Sequence, residues 1–376
     1  MKPEQTSGLY IHIPFCLSKC VYCDFYSSTF LSGLPLFLDA LFKEMEMYRG
    51  RFGLFDTLYI GGGTPSLLSP QQLESILIRI RDTFELPSNS EITVETNPAD
   101  LNQPYLESIR EIGINRINIG VQSFDEEMLR FLGRRHSLRQ AASAIEASRN
   151  AGFHNMGLDL IYGIPGQTID SWLGTLRQAV AFSPEHLSCY QLTVESKTPL
   201  GKRYRAGEFS IPGEDLQYEL FMKTSQALEE AGYIHYEVSN FAKGEAHASR
   251  HNQKYWDHSP YLGLGPAAHS FQNNSRWWNY RSVDQYITAI NAGHHPVEET
   301  ETLTVEQLRL EVLYLGLRTK KGILLEDFKR RFDYDLLTEK RKTLNKLQEE
   351  GLLSIDHGRL YPTPNGLAVA DSLSLI

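Results

Sequence analysis

Short apolar or β-branched runs alternate with amphipathic stretches over the first two thirds of the chain. The runs are bounded by glycine, proline or polar clusters, as is typical of strands, and lie at 8–13, 57–62, 91–96, 116–122, 156–163 and 187–193. The stretches with helical spacing lie at 36–48, 70–84, 101–112, 138–151, 169–182 and 214–231. Strand–helix units repeated in this way predict an α/β fold with a parallel sheet, either open or rolled into a barrel.

Two of the predicted helices have N-terminal capping signals. Ser69 is followed by proline at the first helical position, and Asp100 precedes the stretch 101–112. In parallel α/β folds the functional residues lie on the loops that follow the carboxyl ends of the strands. The loops that follow the predicted strands are therefore the expected location of functional residues.

The alternation ends near residue 235. Residues 247–281 are rich in His, Asn, Tyr, Trp and Gly and have only weak periodicity. Three charged amphipathic segments and a hairpin that turns at Asp356, His357 and Gly358 then predict a winged-helix-like domain; the segments lie at 304–318, 324–331 and 335–349. The predicted division is a core at 1–235, a connecting segment at 236–303 and a C-terminal helical domain at 304–376.

Composition and charge narrow the class of protein. Of 376 residues, 41% are apolar, and 37 basic residues stand against 46 acidic ones. This acidic balance argues against nucleic acid as a partner, and so against a regulator that binds DNA through the winged-helix-like tail. No apolar run approaches the ~20 residues that span a bilayer, and the N-terminus has no pattern of a secretory signal. We expect a cytoplasmic protein.

Three of the four cysteines lie within eight positions, in the stretch "YIHIPFCLSKCVYCDF" at 10–25. Cys16, Cys20 and Cys23 have the spacing CxxxCxxC. A zinc site usually has four ligands in two pairs, and no fourth cysteine is nearby. Three thiolates on a [4Fe–4S] cluster leave one iron free for a substrate or cofactor, which favours a cluster over a zinc knuckle. The remaining cysteine, Cys189, lies mid-strand and is predicted to be a buried, small apolar side chain.

Further motifs follow the later strands. The glycines of "GGGTPS" at 61–66 allow a ligand to approach the backbone closely. Carboxylate, amide and guanidinium groups lie in "VETNP", "GVQSF", "LGRRH" and "GLDLIYGIPGQT", as Glu95, Gln122, Arg134 and Asp159. Taken singly, each of these groups is more often structural than a ligand.

Together, these motifs resemble the oxygen-independent coproporphyrinogen oxidase group of the radical S-adenosylmethionine (SAM) superfamily. The resemblance implies a partial (β/α)6 barrel with a small C-terminal domain, and a cluster held by Cys16, Cys20 and Cys23 whose open iron chelates SAM. It implies SAM contacts at Tyr10, Gly62, Gly63, Thr64 and Glu95. It also implies a second set of cofactor contacts, which form a second SAM site in the oxidase, at Tyr22, Gln122, Arg134 and Asp159.

Three features distinguish two branches of this group. First, the oxidase motif continues to CxxxCxxCxC, and this chain has Phe25 at the position of the last cysteine. Second, the oxidase has an N-terminal extension, whereas 15 residues precede Cys16 here. Third, "HNQKYW" at 251–256 matches the HNxxYW motif of the HemW type. The resemblance to that type implies a haem chaperone, with haem, acceptor haemoproteins and an electron donor as partners. The sequence leaves open whether the protein contacts a membrane peripherally. The alternative is an oxygen-independent coproporphyrinogen III dehydrogenase.

The HNxxYW motif has a chemical interpretation as a haem site. Haem iron takes an imidazole, thiolate, thioether or phenolate ligand, and aromatic side chains can cover its faces. His251 is the predicted ligand, and Tyr255 and Trp256 are predicted to cover the macrocycle. Other histidines in the region are rival ligands: His247, His258 and His269. The competing interpretation is that His251 is a satisfied core residue and that the aromatic side chains are packing.

Overall fold

The computed structural model describes residues 6–373, so the ends of the first and third predicted domains, 1–5 and 374–376, lie outside the described residues. The strands are β1 (Ser7–Ile13), β2 (Phe55–Gly62), β3 (Glu91–Thr96), β4 (Arg116–Gln122), β5 (Met156–Tyr162), β6 (His186–Gln191), β7 (Ile234–Glu237), β8 (Asn240–Ala242), β9 (Tyr261–Leu264), β10 (His269–Gln272), β11 (Ser275–Asn279), β12 (Val297–Thr302), β13 (Ile323–Leu324), β14 (Leu353–Asp356) and β15 (Arg359–Pro362).

The helices cover the crossovers and the C-terminal region. They are α1 (Leu34–Met47), α2 (Pro70–Thr83), α3 (Gln103–Glu111), α4 (Glu126–Phe131), α5 (Leu138–Asn150), α6 (Ile169–Ala181), α7 (Pro199–Arg205), α8 (Glu214–Glu230), α9 (Arg250–Trp256), α10 (Val283–Asn291), α11 (Val305–Gly316), α12 (Leu325–Phe332), α13 (Leu336–Glu339), α14 (Arg341–Glu349), α15 (Pro364–Ala368) and α16 (Ala370–Leu373). None of these helices is long and apolar enough to cross a membrane.

A twelve-stranded sheet organises the molecule. Its six central strands, β1 to β6, are parallel and stand side by side in chain order, with helices between successive strands. This arrangement confirms the predicted α/β fold with a parallel sheet. A separate three-stranded sheet, in the order β13-β15-β14, lies in the C-terminal region with α11 to α14, and the predicted hairpin turns at His357 and Gly358, both with positive φ.

The two capping predictions had different outcomes. Ser69 caps α2 through a capping box. Its hydroxyl accepts a hydrogen bond from Gln72 N–H, and the Gln72 side-chain oxygen accepts one from Ser69 N–H. The prediction for Asp100 was wrong. Asn102 caps α3, at 3.0 Å from Tyr105 N, while Asp100 pairs with Arg135 at 2.9 Å. The carboxylate of Asp100 therefore links the loop after β3 to the segment before α5 instead of capping a helix.

The two faces of the parallel strands differ in chemistry. Side chains alternate between faces, and the residues of one face are apolar and fully buried against the crossover helices, such as Leu9, Ile11, Leu58, Ile60, Val94, Ile119 and Leu158. On the other face, paired positions carry polar groups: Tyr10 pairs with Tyr59, and Glu95 with Asn118. One face thus builds the core, and the other provides a polar surface suited to a ligand.

Strands from the connecting region extend the sheet at both edges. β9 pairs with β1 in parallel and continues through the antiparallel strands β10, β11 and β12, while β8 and β7 add to β6. The buried carboxylate of Glu44 on α1 fixes the first extension. It accepts hydrogen bonds from Gly265 N–H, the Asn279 amide and the Tyr286 hydroxyl. These strands were not predicted from the weak periodicity of residues 247–281.

Candidate functional site

The loop after β1 carries the three cysteines of the predicted cluster site. Cys16 is buried, and Cys20 and Cys23 are half-buried, with all three thiols free. Backbone bonds close the loop: Cys16 N–H donates to Ser28 O at 3.0 Å, and Cys23 N–H donates to Cys20 O at 3.2 Å. Burial raises the pKa of the Cys23 thiol. The loop thus presents three thiols close to the carboxyl edge of the sheet.

The donor set is compatible with a cluster. Within residues 6–373, no group of three or more His, Cys, Asp or Glu side chains is arranged to hold a single metal ion. A structural zinc ion would need such a group, whereas the thiolates of an iron–sulfur cluster bind separate irons and stand farther apart. The arrangement of the three thiols therefore lends no support to the zinc alternative.

Two side chains donate hydrogen bonds to these thiols. The Thr64 hydroxyl donates to Cys16 Sγ at 3.3 Å, and Arg134 Nη1 donates to Cys20 Sγ at 3.3 Å. Arg134 is fixed by a second bond, from Nη2 to Gly120 O at 2.7 Å. The loop after β2 and the segment between α4 and α5 therefore both contact the cysteine loop.

The glycine loop at the end of β2 packs directly on the cysteine loop. Gly63 N–H donates to Ile13 O, and Thr64 N–H donates to Phe15 O, both at 2.8 Å. A Cβ at Gly63 would lie 2.6 Å from Phe15 O, so only glycine permits this approach. The two loops hence form one unit.

Glu95 lies beside the glycine loop. Its Oε1 accepts from the Tyr59 hydroxyl at 2.8 Å, and its Oε2 accepts from Gly62 N–H at 3.1 Å. Burial raises the pKa of the Glu95 carboxyl to about 7. Tyr10 packs near Tyr59, with ring centroids 6.3 Å apart, and its hydroxyl is 3.1 Å from His12 Nδ1. The first predicted set of SAM contacts therefore lies together on the polar face of the sheet and at its edge.

The second predicted set also meets in one place. Arg134 Nη1 is 3.5 Å from the Tyr22 hydroxyl, and Gly120, whose carbonyl Arg134 binds, pairs with Asp159 across β4 and β5. Asp159 accepts from the Asn118 amide at 2.7 Å, and burial raises the pKa of its carboxyl. Gln122 is buried and has a φ of 68°, which turns the chain at the end of β4. These four residues form the wall next to Cys20.

The HNxxYW motif forms helix α9, and its side chains face different surroundings. His251 is 1% exposed, with Nδ1 at 2.9 Å from Thr57 Oγ1 and Nε2 at 2.9 Å from the Tyr255 hydroxyl. Burial lowers the pKa of His251 to about 3. The Trp256 ring lies under the Arg318 guanidinium, 5.5 Å away. In this arrangement both ring nitrogens of His251 are engaged in hydrogen bonds within the protein.

The rival histidines differ in their surroundings. His247 is half-buried, and exposed His269 stacks on Trp278 with ring centroids 5.6 Å apart. His258 is buried and bonded at both nitrogens, to Glu311 and to Arg331. The prediction for Cys189 is confirmed, since its side chain is buried in the main core.

Known proteins resemble this chain over nearly its whole length. The Radical SAM superfamily matches residues 10–179, and the HemN C-terminal domain matches residues 303–369. "Heme chaperone HemW" of Bacillus subtilis is 35% identical over 95% of both chains, and that of Lactococcus lactis is 33% identical over 98% of this chain and 97% of its own. The chain belongs to the HemW family of the radical SAM superfamily.

The likeness of this HemW-family chain extends to other proteins. "Radical S-adenosyl methionine domain-containing protein 1, mitochondrial" of Bos taurus is 33% identical over 99% of this chain and 87% of its own. The solved structure of coproporphyrinogen III oxidase (HemN) from Escherichia coli superimposes with a TM-score of 0.86 over 99% of this chain and 90% of that chain, at 22% identity. That identity is evidence for the fold alone. Membership of the radical SAM superfamily implies a [4Fe–4S] cluster and SAM.

Sequence reasoning missed two residues of the HemW-family site, Tyr59 and His12. The Tyr59 hydroxyl donates a hydrogen bond to Glu95. His12 contacts the Tyr10 hydroxyl through Nδ1, and its Nε2 lies 2.9 Å from Tyr26 O in the cysteine loop. The alternation of polar and apolar residues along β1 and β2 carried the information needed to find both. Tyr59 and His12 are the polar members of strands whose alternate residues are apolar, and this pattern predicts that they face away from the core.

Proposed function

We propose that this protein is a haem chaperone that binds a [4Fe–4S] cluster, SAM and haem, and transfers haem to acceptor haemoproteins. The observation that carries the proposal is the similarity, at 33–35% identity over nearly the full length, to proteins named heme chaperone HemW. Phe25 agrees with it, because this exposed side chain stands where the oxidase motif continues to a further cysteine. The acceptor and the electron donor would be separate proteins.

Cys16, Cys20 and Cys23 would hold the cluster. A set of three thiols on one loop fits a [4Fe–4S] cluster with one iron left open. When bound, the cluster would supply a low-potential electron and an open iron that could take the methionine part of SAM. Thr64 and Arg134 would hold the thiolates in position through their hydrogen bonds to Cys16 Sγ and Cys20 Sγ.

The glycine loop and Glu95 would bind SAM. The N–H groups of Gly62, Gly63 and Thr64 already donate within the protein, so the loop would offer carbonyl oxygens, which accept hydrogen bonds from an ammonium group. The carboxyl group of Glu95 would accept from the ribose hydroxyls. Tyr59 supports this role because its hydroxyl fixes the orientation of Glu95. Tyr10 would pack beside the bound nucleoside.

The second set would shape the wall next to Cys20. Tyr22, Gln122, Arg134 and Asp159 correspond to the second SAM site of the oxidase, and their proximity supports a shared role in cofactor binding. Arg134 would keep its contact with Cys20 Sγ whether or not a second SAM binds. Its fixed cation would favour the carboxylate of a ligand at this wall.

The HNxxYW motif would contribute to the haem site. Tyr255 supports this, because its ring borders an aromatic cleft, whereas the surroundings of His251 favour a scaffolding role. The runner-up function is coproporphyrinogen III dehydrogenase, which the motifs shared with the oxidase group leave as the alternative. It would require the same cluster and SAM.

Parallel assays on one preparation discriminate between the two functions. The cluster is reconstituted anaerobically, and haem binding and coproporphyrinogen III turnover are then measured side by side. Stoichiometric haem binding without decarboxylation is the expected result. Efficient decarboxylation with no stable haem complex would contradict the chaperone proposal.

A further inference from the structure

A cleft separates the sheet extension from the C-terminal region. It has a cavity volume of about 240 Å³, is partly open to solvent and lies between strands β9 to β11 and helix α11. Its walls include Tyr255, Tyr261, Phe271, Arg276, Glu311 and Tyr314. A cleft of this size would enclose only part of a haem, so one edge of the macrocycle would project into solvent.

We propose that this cleft is where the haem binds, with the Tyr261 hydroxyl as its iron ligand; this inference rests on the proposed function. Ligation forms a bond between ferric iron and the phenolate oxygen, and the phenol proton passes to solvent. No change of oxidation state is required.

The walls suit a flat macrocycle. The rings of Tyr255 and Tyr261 meet edge to face with centroids 4.7 Å apart, and Phe271 lies 6.3 Å from Tyr261. Leu315 on α11 adds an aliphatic surface. Aromatic and aliphatic side chains of this kind provide the apolar cover that the faces of a porphyrin need.

Tyr261 is the side chain best placed to bind iron. Among residues 6–373 its hydroxyl has no hydrogen-bond partner, although most of the ring is packed against Tyr255 and Phe271. Tyrosine is an established axial ligand of haem iron. Burial raises the pKa of Tyr261 to about 12, although the positive charge of Arg276 offsets part of this rise. Bound ferric iron would lower the pKa of the hydroxyl further.

The nearby histidines are occupied. Arg331 donates to His258 Nδ1 at 3.1 Å, so the proton of the ring lies on Nε2, which is 3.1 Å from Glu311 Oε2. His251 holds Tyr255 by its hydroxyl and thereby orients one wall of the cleft. The HNxxYW motif therefore reaches the cleft through Tyr255, and its histidine acts as a positioning residue.

Arg276 provides a cation at the cleft. Its guanidinium binds Glu301 at 2.7 Å and Glu311 at 2.5 Å, and its side chain is 38% exposed. A haem propionate would replace one of these carboxylates and form an ion pair of the same kind. Charge alone would therefore give a modest affinity, and the apolar walls and the iron bond would supply the rest.

Titration of the full-length, cluster-reconstituted protein with ferric haem tests the inference. Tyr261→Phe keeps the ring, and we expect it to bind haem about tenfold more weakly and to lose the iron–phenolate signature in resonance Raman spectra. Leu315→Trp fills the cleft from α11 and should weaken binding more strongly. Matched controls are Tyr204→Phe, at an exposed tyrosine on α7, and Leu310→Trp, at an exposed leucine on the same helix.

The outcomes separate this inference from the proposed function. If the wild-type protein binds no haem, the proposed function fails. If it binds haem and both cleft variants retain its affinity and spectrum, the cleft is not the haem site, while the chaperone proposal stands. Because Tyr261→Phe removes a hydroxyl that has no partner in the part of the chain that the structure describes, the variant is expected to fold and to keep the absorbance of its cluster.

Discussion

The guanidinium of Arg134 donates a hydrogen bond to Cys20 Sγ at a distance of 3.3 Å. A second bond, to Gly120 O at 2.7 Å, fixes the same side chain to strand β4. Arg134 therefore holds a positive charge against one of the three cluster thiols. A fixed cation and an N–H···S bond both stabilise the more negative, reduced form of a cluster.

Arg134→Gln should lower the reduction potential of the reconstituted cluster. Removal of one charge-assisted hydrogen bond, about 1.5 kcal/mol, corresponds to about 60 mV for a one-electron couple. A redox titration followed by electron paramagnetic resonance measures the change. Arg130→Gln, at an exposed arginine on α4, is the control. An unchanged potential in Arg134→Gln would show that the hydrogen bond does not act on the cluster.

Gly63→Ala should prevent assembly of the cluster. The new Cβ would lie 2.6 Å from Phe15 O and would push the glycine loop away from the cysteine loop. We expect the iron and sulfide content after reconstitution to fall severalfold. Gly53→Ala is the matched control, because a Cβ there meets nothing within 4 Å. Full incorporation of iron into Gly63→Ala would disprove the close coupling of the two loops.

The stability of the protein should depend on pH through Glu44. Burial raises the pKa of its carboxyl from 4.5 to about 7, so folding favours the protonated form. This contribution is fully present below pH 4.5 and is lost as the pH rises through 7. We expect the free energy of unfolding to fall by about 2 kcal/mol more between pH 5 and 7 in the wild type than in Glu44→Gln.

Urea unfolding at both pH values, at equal cluster content, measures this difference. Glu74→Gln, at an exposed glutamate on α2, should keep the pH dependence of the wild type. If Glu44→Gln also keeps it, the carboxyl of Glu44 does not retain its proton in the folded state.

His251→Ala should destabilise the fold and leave the haem ligand unchanged. The substitution leaves the hydroxyls of Thr57 and Tyr255 without a partner and opens a cavity, at a cost of about 3 kcal/mol in the free energy of unfolding. Urea unfolding and the spectrum of bound ferric haem measure the two effects. His269→Ala, at an exposed site, should change neither. Loss of the axial-ligand signature in His251→Ala would restore His251 as the iron ligand.

The parallel core could be predicted because its local patterns agree with its tertiary structure. Each central strand is a short apolar or β-branched run, and α2 begins with a capping box at Ser69 followed by Pro70. The extension at β9 to β12 escaped prediction because β9 to β11 have only four or five residues each, too few for a clear alternation, and β12 is almost wholly polar. Asp100 looked like a cap, but its carboxylate pairs with Arg135, and Asn102 caps α3 instead.

The candidate site could be predicted only in part. Cysteine spacing and glycine loops are local, so the motifs pointed to residues that the fold brings to one edge of the sheet. The cleft depends instead on packing between segments that are distant in the chain. Tyr261 and Arg276 line it together with Glu311, which lies on helix α11. No periodicity in the sequence encodes such a contact.

Transfer of haem is the most direct test of the central claim. The cluster-reconstituted protein is loaded with one equivalent of haem and mixed with an apo-haemoprotein whose holo spectrum is distinct. We predict that intact haem moves to the acceptor and that the rate increases with acceptor concentration, as direct transfer requires. Failure to form a stable complex with haem, or retention of the bound haem at every acceptor concentration, would contradict the account.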